Sequence, residues 1–316
     1  VVLLFGVTFL TFPSPGRGTF LYESVSNGAP YLFCGWICVL LVSVAAFIFS
    51  KKRLRYFLLS LVSFCCGMHL ALPLRDYYHP AVLRFNEAIS QLRSDHTVYR
   101  ALFLHMGDGL QGLLQGEHPD LVAVIGDASS VFDESWCQNQ ILLPSGTTIF
   151  LAARQPCEQP DLYDLGDGDG IPGSLILKFQ REQVEVPVFF FHVIPTVDNE
   201  TSYVNHLAVR RLTTQARHTQ NFLMFAGLET TPWTDRYGRL VGGAEAINAA
   251  WGRGMRSFYS NKEWWEDPFL TNYVFYKGGV RVLKLEELTG LDGEHKSFKI
   301  EFVILAKGKD LKETEQ

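Results

Sequence analysis

Long apolar runs dominate the start of the chain. Val1–Phe12, Pro30–Ser50 and Tyr56–Leu74 contain no Asp, Glu, Lys or Arg, and polar His69 interrupts the third run. The two longer runs match the roughly 20 apolar residues that a membrane-spanning helix needs, and a buried hairpin of a soluble protein is the alternative. Val1–Phe12 covers only about 18 Å at helical rise. It is either the end of a spanning helix or the core of a signal peptide, and the lack of a small-x-small cleavage pattern favours the helix.

A basic cluster separates the second and third runs. It consists of Lys51, Lys52, Arg53 and Arg55. Positive residues that flank membrane helices favour the cytoplasmic side. We therefore expect a transmembrane region over residues 1–75, with three helices of which the first is truncated, and membrane lipids as partners. Everything after Leu74 then lies on the opposite face, which in a bacterium is the periplasmic side of the inner membrane.

The remainder has the pattern of a linker followed by a globular domain. In the linker, residues 76–96, the apolar positions recur at helical spacing, which predicts an amphipathic helix that lies on the membrane surface or on the domain. These positions are Ala81, Leu83, Phe85, Ala88, Ile89 and Leu92. The domain covers residues 97–307, and the charged tail 308–316 has a composition typical of disorder.

Short apolar segments bounded by polar, Gly or Pro residues predict the strands of this domain. They are Thr97–His105, Pro119–Ile125, Thr147–Ala153, Ser174–Phe179, Glu185–His192, Phe222–Phe225, Thr271–Tyr276 and Lys299–Leu305. The other expected elements are a turn and helix within Gly107–Gly116, an acidic surface loop at Asp161–Gly170, a polar loop from Pro195 through Ser202, and helices at Tyr203–Thr219 and Tyr237–Ala250. The acidic loop lacks the residue order of a calcium-binding loop.

Charge and cysteines narrow the function classes. The net charge is −5 and no long basic block occurs, so nucleic acid is not an expected partner. Four of the six cysteines (Cys34, Cys38, Cys65 and Cys66) lie in the apolar runs, which leaves Cys137 and Cys157 in the domain. On an oxidising face of the membrane these two are expected to form a disulfide, with two free buried thiols as the alternative.

A candidate site follows the predicted strand Phe222–Phe225. The strand breaks into a polar turn that includes Thr231-Pro232-Trp233. This stretch resembles the endonuclease/exonuclease/phosphatase superfamily of metal-dependent hydrolases, including its membrane-anchored bacterial members. There the strand ends in Gly-Asp-x-Asn and is often followed by Thr-Pro-Trp-Ser. Here Gly227 stands at the position of the Asp and Glu229 at that of the Asn.

Other motifs of the superfamily follow in the same order, with further replacements. Gly126 stands where the second strand carries the metal-binding Glu, and Asp127 could serve only if the strand end shifted by one residue. The remaining matched positions are His105 (for an Asn), His192 (matching an active-site His), Asn272 (for an Asp), Tyr273 (for a His), Glu294 (for an Asp) and His295 (matching a His).

The resemblance covers about Thr97–Ala306 and implies a fold. The expected class is α+β: membrane helices followed by a four-layered α/β sandwich of the DNase I-like type. Two packed mixed β-sheets, mostly antiparallel, would be flanked by helices.

The replacements bear on function. The superfamily's reaction needs a divalent cation, a His that activates water, and donors to the phosphoryl oxygens. Glycines cannot replace the Glu and the Asp. We therefore expect a pseudoenzyme, a membrane-anchored module without a cofactor that serves as an accessory or structural subunit of a larger membrane complex. His105, His192, Glu229, Asn272, Glu294 and His295 would then form a relic site.

The alternative is a divergent phosphodiesterase or phosphatase with a rebuilt site. In that case Glu229, Glu294 and His295 would hold Mg²⁺ or Mn²⁺, since carboxylate and imidazole groups can form such sites.

Overall fold

Two mixed β-sheets lie face to face in the computed structural model of the chain. The structure describes residues 1–9, 20–105, 110–163, 173–181, 184–253, 272–288 and 297–305. Within these ranges the first sheet has the order β11-β12-β1-β2-β4-β3. Its strands are β1 (Tyr99–His105), β2 (Leu121–Ile125), β3 (Trp136–Leu142), β4 (Thr148–Arg154), β11 (Val280–Leu288) and β12 (Ser297–Ile304).

The second sheet has the order β5-β6-β7-β8-β10-β9 within the described ranges. In each sheet one central pair is parallel, β1 with β2 and β7 with β8, and the other pairs are antiparallel. Both sheets are therefore mixed and mostly antiparallel, as predicted. The strands of this sheet are β5 (Asp161–Tyr163), β6 (Ser174–Arg181), β7 (Val184–His192), β8 (Phe222–Gly227), β9 (Ile247–Asn248) and β10 (Asn272–Lys277).

The core lies between the sheets and is rich in aromatic side chains. Phe103 of β1 packs on Phe190 of β7 and Phe225 of β8, with ring centroids 5.7 and 5.6 Å apart. Helices cover the outer faces, which completes the predicted four layers. They are α7 (Leu110–Glu117) on the first sheet, and α8 (Asn199–His218) and α9 (Asp235–Gly238) on the second.

Three local predictions are wrong. The loop predicted through Ser202 is helical from Asn199, because Asp198 caps the helix and accepts a hydrogen bond from the Thr201 amide at 2.8 Å. The helix predicted at Tyr237–Ala250 stops early: α9 passes into a π-helical turn, Arg239–Gly243, and Ile247–Asn248 then pairs with β10. The expected acidic loop begins as strand β5, and residues 164–172 lie outside the described part.

Two helices in the N-terminal part form an apolar hairpin. They are α3 (Ala29–Phe49) and α4 (Arg53–Ala71), and by length and composition alone both could cross a membrane. Only 11% and 17% of the residues in their most apolar stretches are buried. The core helix of a soluble protein would be mostly buried, so the exposed apolar faces favour the membrane alternative.

Two shorter helices precede the hairpin: α1 (Val2–Phe9) and α2 (Phe20–Asn27). α1 lies against α3, where the Trp36 indole donates a hydrogen bond to Thr8 Oγ1 at 2.7 Å. Eight residues span only about 12 Å as a helix. Residues 10–19 lie outside the described part, so the first of the three expected spans stays a prediction.

The linker leads from the hairpin down the side of the domain. It contains α5 (Arg75–Tyr78) and α6 (Pro80–Gln91). Ile89 of α6 packs with Leu283 of β11 and Val303 of β12 on the outer face of the first sheet. Of the two placements left open by the sequence, α6 takes the one on the domain. Short 3-10 turns flank these helices and one strand, at Leu72–Leu74, Leu92–Ser94 and Ser129–Val131.

Candidate functional site

Those matched positions that lie in the described part of the chain gather at one end of the sandwich, which we name the site end. It is the end at which β1, β2, β7 and β8 finish. Side chains alternate between the two faces of a strand, so residues two apart share a face. His105, His192 and Gly227 each lie two residues beyond one of the three packed core phenylalanines. They therefore face the mouth between the two sheets.

Three of these positions form one row across the second sheet. His192 pairs with Gly227, and Gly227 pairs with Asn272. Asn272 is buried and lies two residues before Val274, which belongs to the core between the sheets. The structure thus brings together three positions that are up to 80 residues apart in the sequence.

The His192 ring occupies the space beside Gly227. A Cβ on residue 227 would lie 2.4 Å from His192 Cδ2 and 3.1 Å from its Cγ. Both atoms belong to a buried ring that cannot move freely, since its Nδ1 also contacts the Val193 carbonyl oxygen. An aspartate at position 227 and the His192 ring in this place exclude each other.

His192 also faces the carboxylate of Glu229. Nε2 lies 3.7 Å from Oε1 of Glu229. A carbonyl only accepts hydrogen bonds, so the contact with Val193 requires the proton on Nδ1. A neutral ring then turns its Nε2 lone pair toward the carboxylate, and the pair attracts only when the imidazole is protonated. Glu229 itself has a left-handed backbone, with φ of 48°, which is uncommon for this residue type.

The first sheet contributes fewer polar groups to the site end than the second sheet does. The His105 amide donates to Ser297 Oγ at 3.1 Å. β2 ends at Ile125 as predicted, and Gly126 follows with a φ of 134°. L-residues rarely adopt this conformation, so a glutamate at 126 would be strained.

The Asp127 carboxylate bonds to a residue of its own turn. Its Oδ1 accepts hydrogen bonds from the amide and the hydroxyl of Ser129, at 3.1 and 2.9 Å. These bonds stabilise the carboxylate and lower the pKa of Asp127. The Asp127 side chain is exposed, and its hydrogen bonds stabilise the turn in which it lies.

Two candidate ligands, Glu294 and His295, lie outside the described residues. Within the described ranges no three His, Cys, Asp or Glu side chains lie together in a way that could hold a metal ion. The structure therefore does not test the set Glu229, Glu294 and His295. It places one of the three at the site end.

The turn after β8 is held rigidly. Thr230 Oγ1 donates to Thr234 Oγ1 at 2.7 Å, and the Thr234 hydroxyl donates to the Thr231 carbonyl at 2.9 Å. Tyr273 of β10 donates to the Thr230 carbonyl at 2.7 Å. The residues that correspond to the superfamily's Thr-Pro-Trp-Ser motif thus form an ordered platform.

This turn binds the N-terminal helices. The buried Trp233 indole donates to the carbonyl of Leu70, in the last turns of α4, at 2.6 Å. The Thr231 hydroxyl donates to the carbonyl of Ser26 in α2 at 3.3 Å. Contacts across more than 160 residues leave no local signal, so the sequence pattern did not predict them.

A buried polar cluster makes a second connection to the domain. Asn248 Nδ2 donates to the hydroxyls of Tyr77 in α5 and Tyr237 in α9, at 3.1 and 3.0 Å. The Trp251 indole also donates to Tyr237, at 3.1 Å. Burial raises the pKa of Tyr237, and it raises that of Tyr77 well above its usual value.

The expected disulfide is present between Cys137 and Cys157, whose Cα atoms are 6.1 Å apart. Cys137 lies in edge strand β3. The backbone of Cys157 forms an isolated antiparallel β-bridge with Phe179 of β6, in the other sheet. The bond thus fastens one edge of the sandwich. The cysteines of the hairpin, Cys34, Cys38, Cys65 and Cys66, are free.

Solved structures with this architecture include endonuclease/exonuclease/phosphatase proteins. A humanised D. rerio TDP2 carrying 14 mutations has a TM-score of 0.53 and 11% identity, over 65% of this chain and 98% of that one. An endonuclease/exonuclease/phosphatase from Bacteroides vulgatus has a TM-score of 0.52 and 11% identity, over 66% and 99%. The human Nocturnin catalytic domain has a TM-score of 0.50 and 11% identity, over 67% and 98%.

The chain therefore has the fold of the endonuclease/exonuclease/phosphatase proteins, as the sequence motifs predicted. No protein-family profile matches the sequence. No curated protein matches it either. At 11% identity, the structural likeness establishes the fold alone.

Proposed function

We propose that this is a membrane-anchored module with a hydrolase fold that has no hydrolase activity. The observation that carries the proposal is the packing of His192 against Gly227. The nucleophile-orienting Asp of the matched motif is absent, and the His192 ring fills the space that its side chain would need. Loss of such an orienting group costs orders of magnitude in rate.

The backbone conformation of Gly126 supports the same conclusion. The matched glutamate would be the principal metal ligand, and the backbone at 126 has a conformation that suits glycine. Without that carboxylate, and with Asn272 in place of an aspartate, the site has less negative charge with which to hold a divalent cation. No resident cofactor is therefore expected.

One observation favours the alternative, a divergent phosphodiesterase or phosphatase. His192 and Glu229 lie side by side, and a carboxylate next to an imidazole is a common pair in general acid–base catalysis. In that reading Glu229, with Glu294 and His295, would bind Mg²⁺ or Mn²⁺.

An activity assay separates the two functions. Purified full-length protein is assayed with Mg²⁺ or Mn²⁺ on nucleic acid, phospholipid and nitrophenyl phosphate. The Glu229→Gln and His295→Ala variants are matched controls, since both remove a candidate ligand without adding bulk. We expect no turnover above that of the variants. Turnover that falls by 100-fold or more in both variants would overturn the proposal.

The membrane placement is the second part of the proposal. The basic cluster, residues 51–55, lies at the hairpin end between α3 and α4, whereas Leu70 and Ser26 contact the domain at the other end. One span separates the cluster from the domain, so they lie on opposite sides of the membrane. By the positive-inside rule the domain is then periplasmic in a bacterial inner membrane. A reporter fused after Gln316 that is active only in the cytoplasm would contradict this.

The proposed role is that of an accessory or structural subunit in a larger membrane complex. The exposed apolar faces of α3 and α4 offer a surface for lipids and for the spans of other subunits, with Leu41, Val42, Phe49 and Leu54 among the exposed side chains. Cross-linking in intact membranes, through a photoreactive residue at position 42, tests this. We expect a discrete cross-linked product of higher mass, and a monomer alone would contradict the role.

A further inference from the structure

Few large apolar side chains of the soluble part are exposed. Among the described residues after position 96 there are four: Leu142 at 72% exposure, Val197 at 69%, Tyr203 at 59% and Leu162 at 57%. Single exposed apolar residues are common and need no explanation, but a set confined to one region indicates a contact surface. Their positions in the sandwich decide which case applies.

Two of the four belong to edge strands, at the site end. Leu142 is the last residue of β3, one pair beyond the level of Ile125, where β2 ends. Leu162 of β5 pairs with Leu175, and that residue pairs with Phe190 near the end of β7. β3 lies against β6, the neighbour of edge strand β5, so both side chains lie on the same flank of the sandwich.

The other two lie beyond β7. Val197 follows the end of β7 by five residues, and Tyr203 is the fifth residue of α8. α8 begins at the site end and runs back along the second sheet. All four exposed side chains are therefore at the site end, and within the described ranges the opposite end has no large exposed apolar residue.

The hairpin attaches at this same end. Trp233 and Thr231 contact Leu70 and Ser26, and α2 lies against α8. The exposed apolar side chains thus lie at the same end of the domain as the point where the chain leaves the proposed membrane. A protein partner could bind at any place on the domain. A bilayer can contact the domain only near the end where the hairpin attaches.

We propose that the site end of the domain rests on the lipid surface, with Leu142, Leu162, Val197 and Tyr203 inserted among the headgroups. The inference rests on the membrane placement proposed above. Apolar side chains gain free energy when they leave water, and tyrosine is favoured at the interface because its ring is apolar and its hydroxyl remains hydrated. The mouth that contains His192 and Glu229 then opens toward the bilayer instead of the aqueous compartment.

The test measures how close individual positions lie to the acyl chains. A small environment-sensitive fluorescent amino acid is placed by codon suppression at position 142, 162 or 203 of the full chain, in phosphatidylcholine nanodiscs. Half of the lipid is brominated in the upper part of its acyl chains, and bromine quenches only nearby fluorophores. A zwitterionic lipid is used because Asp198 and Glu200 lie close to the surface in question.

Two further positions make the outcome unambiguous. Position 42, on the exposed face of α3, reports whether the hairpin is in the bilayer at all, and position 185, exposed at the start of β7, reports from the opposite end of the domain. We expect quenching at 42, 142, 162 and 203, and none at 185.

Quenching at 42 with quenching at fewer than two of the three site-end positions overturns the inference and leaves the membrane placement intact. That pattern would indicate that the exposed apolar side chains contact a protein partner. Equal quenching at 185 also overturns the inference. The absence of quenching at 42 contradicts the membrane placement itself.

Discussion

The ring of His192 and the α-carbon of Gly227 are complementary: the histidine fits because the neighbouring strand has no side chain there. The Gly227→Ala substitution should therefore destabilise the domain, by about 1–3 kcal/mol, since an added Cβ would lie 2.4 Å from His192 Cδ2. Guanidinium unfolding in detergent, followed by tryptophan fluorescence, measures the change.

A double-mutant cycle identifies the cause. In the background of His192→Ala the cost of Gly227→Ala should shrink, with a coupling energy of about 1–3 kcal/mol. Gly112→Ala is the matched control, because nothing lies within 4 Å of its added Cβ and alanine favours the helix α7. Additive effects of the two substitutions would show that the His192 ring does not occupy the space beside Gly227.

The turn at Trp233 should hold the end of α4. Trp233→Phe removes the bond to the Leu70 carbonyl and leaves a buried acceptor without its partner, at a cost of about 1–2 kcal/mol. Amide exchange at the end of α4 should then accelerate by roughly 5- to 30-fold. Trp136→Phe, which alters an indole packed on Phe132 in the outer layer of the first sheet, is the control. Unchanged exchange in Trp233→Phe would show that the bond does not support the helix.

The buried tyrosines predict an alkaline loss of stability. The folded-state pKa values of Tyr77 and Tyr237 are raised by burial, so the folded state retains protons that the unfolded state releases. Their contribution is complete below the unfolded pKa of about 10 and is lost as the pH rises above it, at up to about 1.4 kcal/mol per pH unit for each group.

Tyr77→Phe should reduce this slope, without abolishing it because Tyr237 and the buried Tyr273 remain. Unfolding free energies between about pH 8 and pH 11 measure the slope. Tyr203→Phe changes an exposed tyrosine and should leave it unaltered. Equal slopes in wild type and Tyr77→Phe would refute the assignment.

The disulfide should contribute about 3 kcal/mol, since it closes a loop of about 20 residues in the unfolded chain. Unfolding of the Cys137→Ala/Cys157→Ala variant, compared with wild type with and without reductant, measures this. Reductant should not change the free energy of unfolding of this variant. A variant as stable as the oxidised wild type would show that the bond does not constrain the unfolded chain.

Sequence patterns predicted the fold well because its signals are local. The eight predicted strands, the two long apolar helices and the disulfide pair all appear in the structure. β3 was missed because three consecutive polar residues, Gln138, Asn139 and Gln140, break the alternation expected of a strand. The helix predicted through Ala250 failed because Gly242 and Gly243 end it, and because pairing with β10 outweighs local propensity at Ile247.

Motif order in the sequence singled out the matched positions but not their surroundings. Gly126 and Gly227 stand in the sequence where the resembling motifs carry acidic residues. The ring that fills the gap, and the hairpin bonded to the neighbouring turn, depend on residues far apart in the chain. Such contacts are set by tertiary packing, which local patterns do not encode.

The position of β12 has a consequence for biogenesis. This strand lies between β11 and β1 in the first sheet, although it is the last described strand along the chain. During synthesis, β1 emerges nearly 200 residues before the partner that covers its open edge. Under the proposed topology the growing domain crosses the membrane with an unpaired strand edge, and a chain that stops before Ser297 exposes two such edges to aggregation.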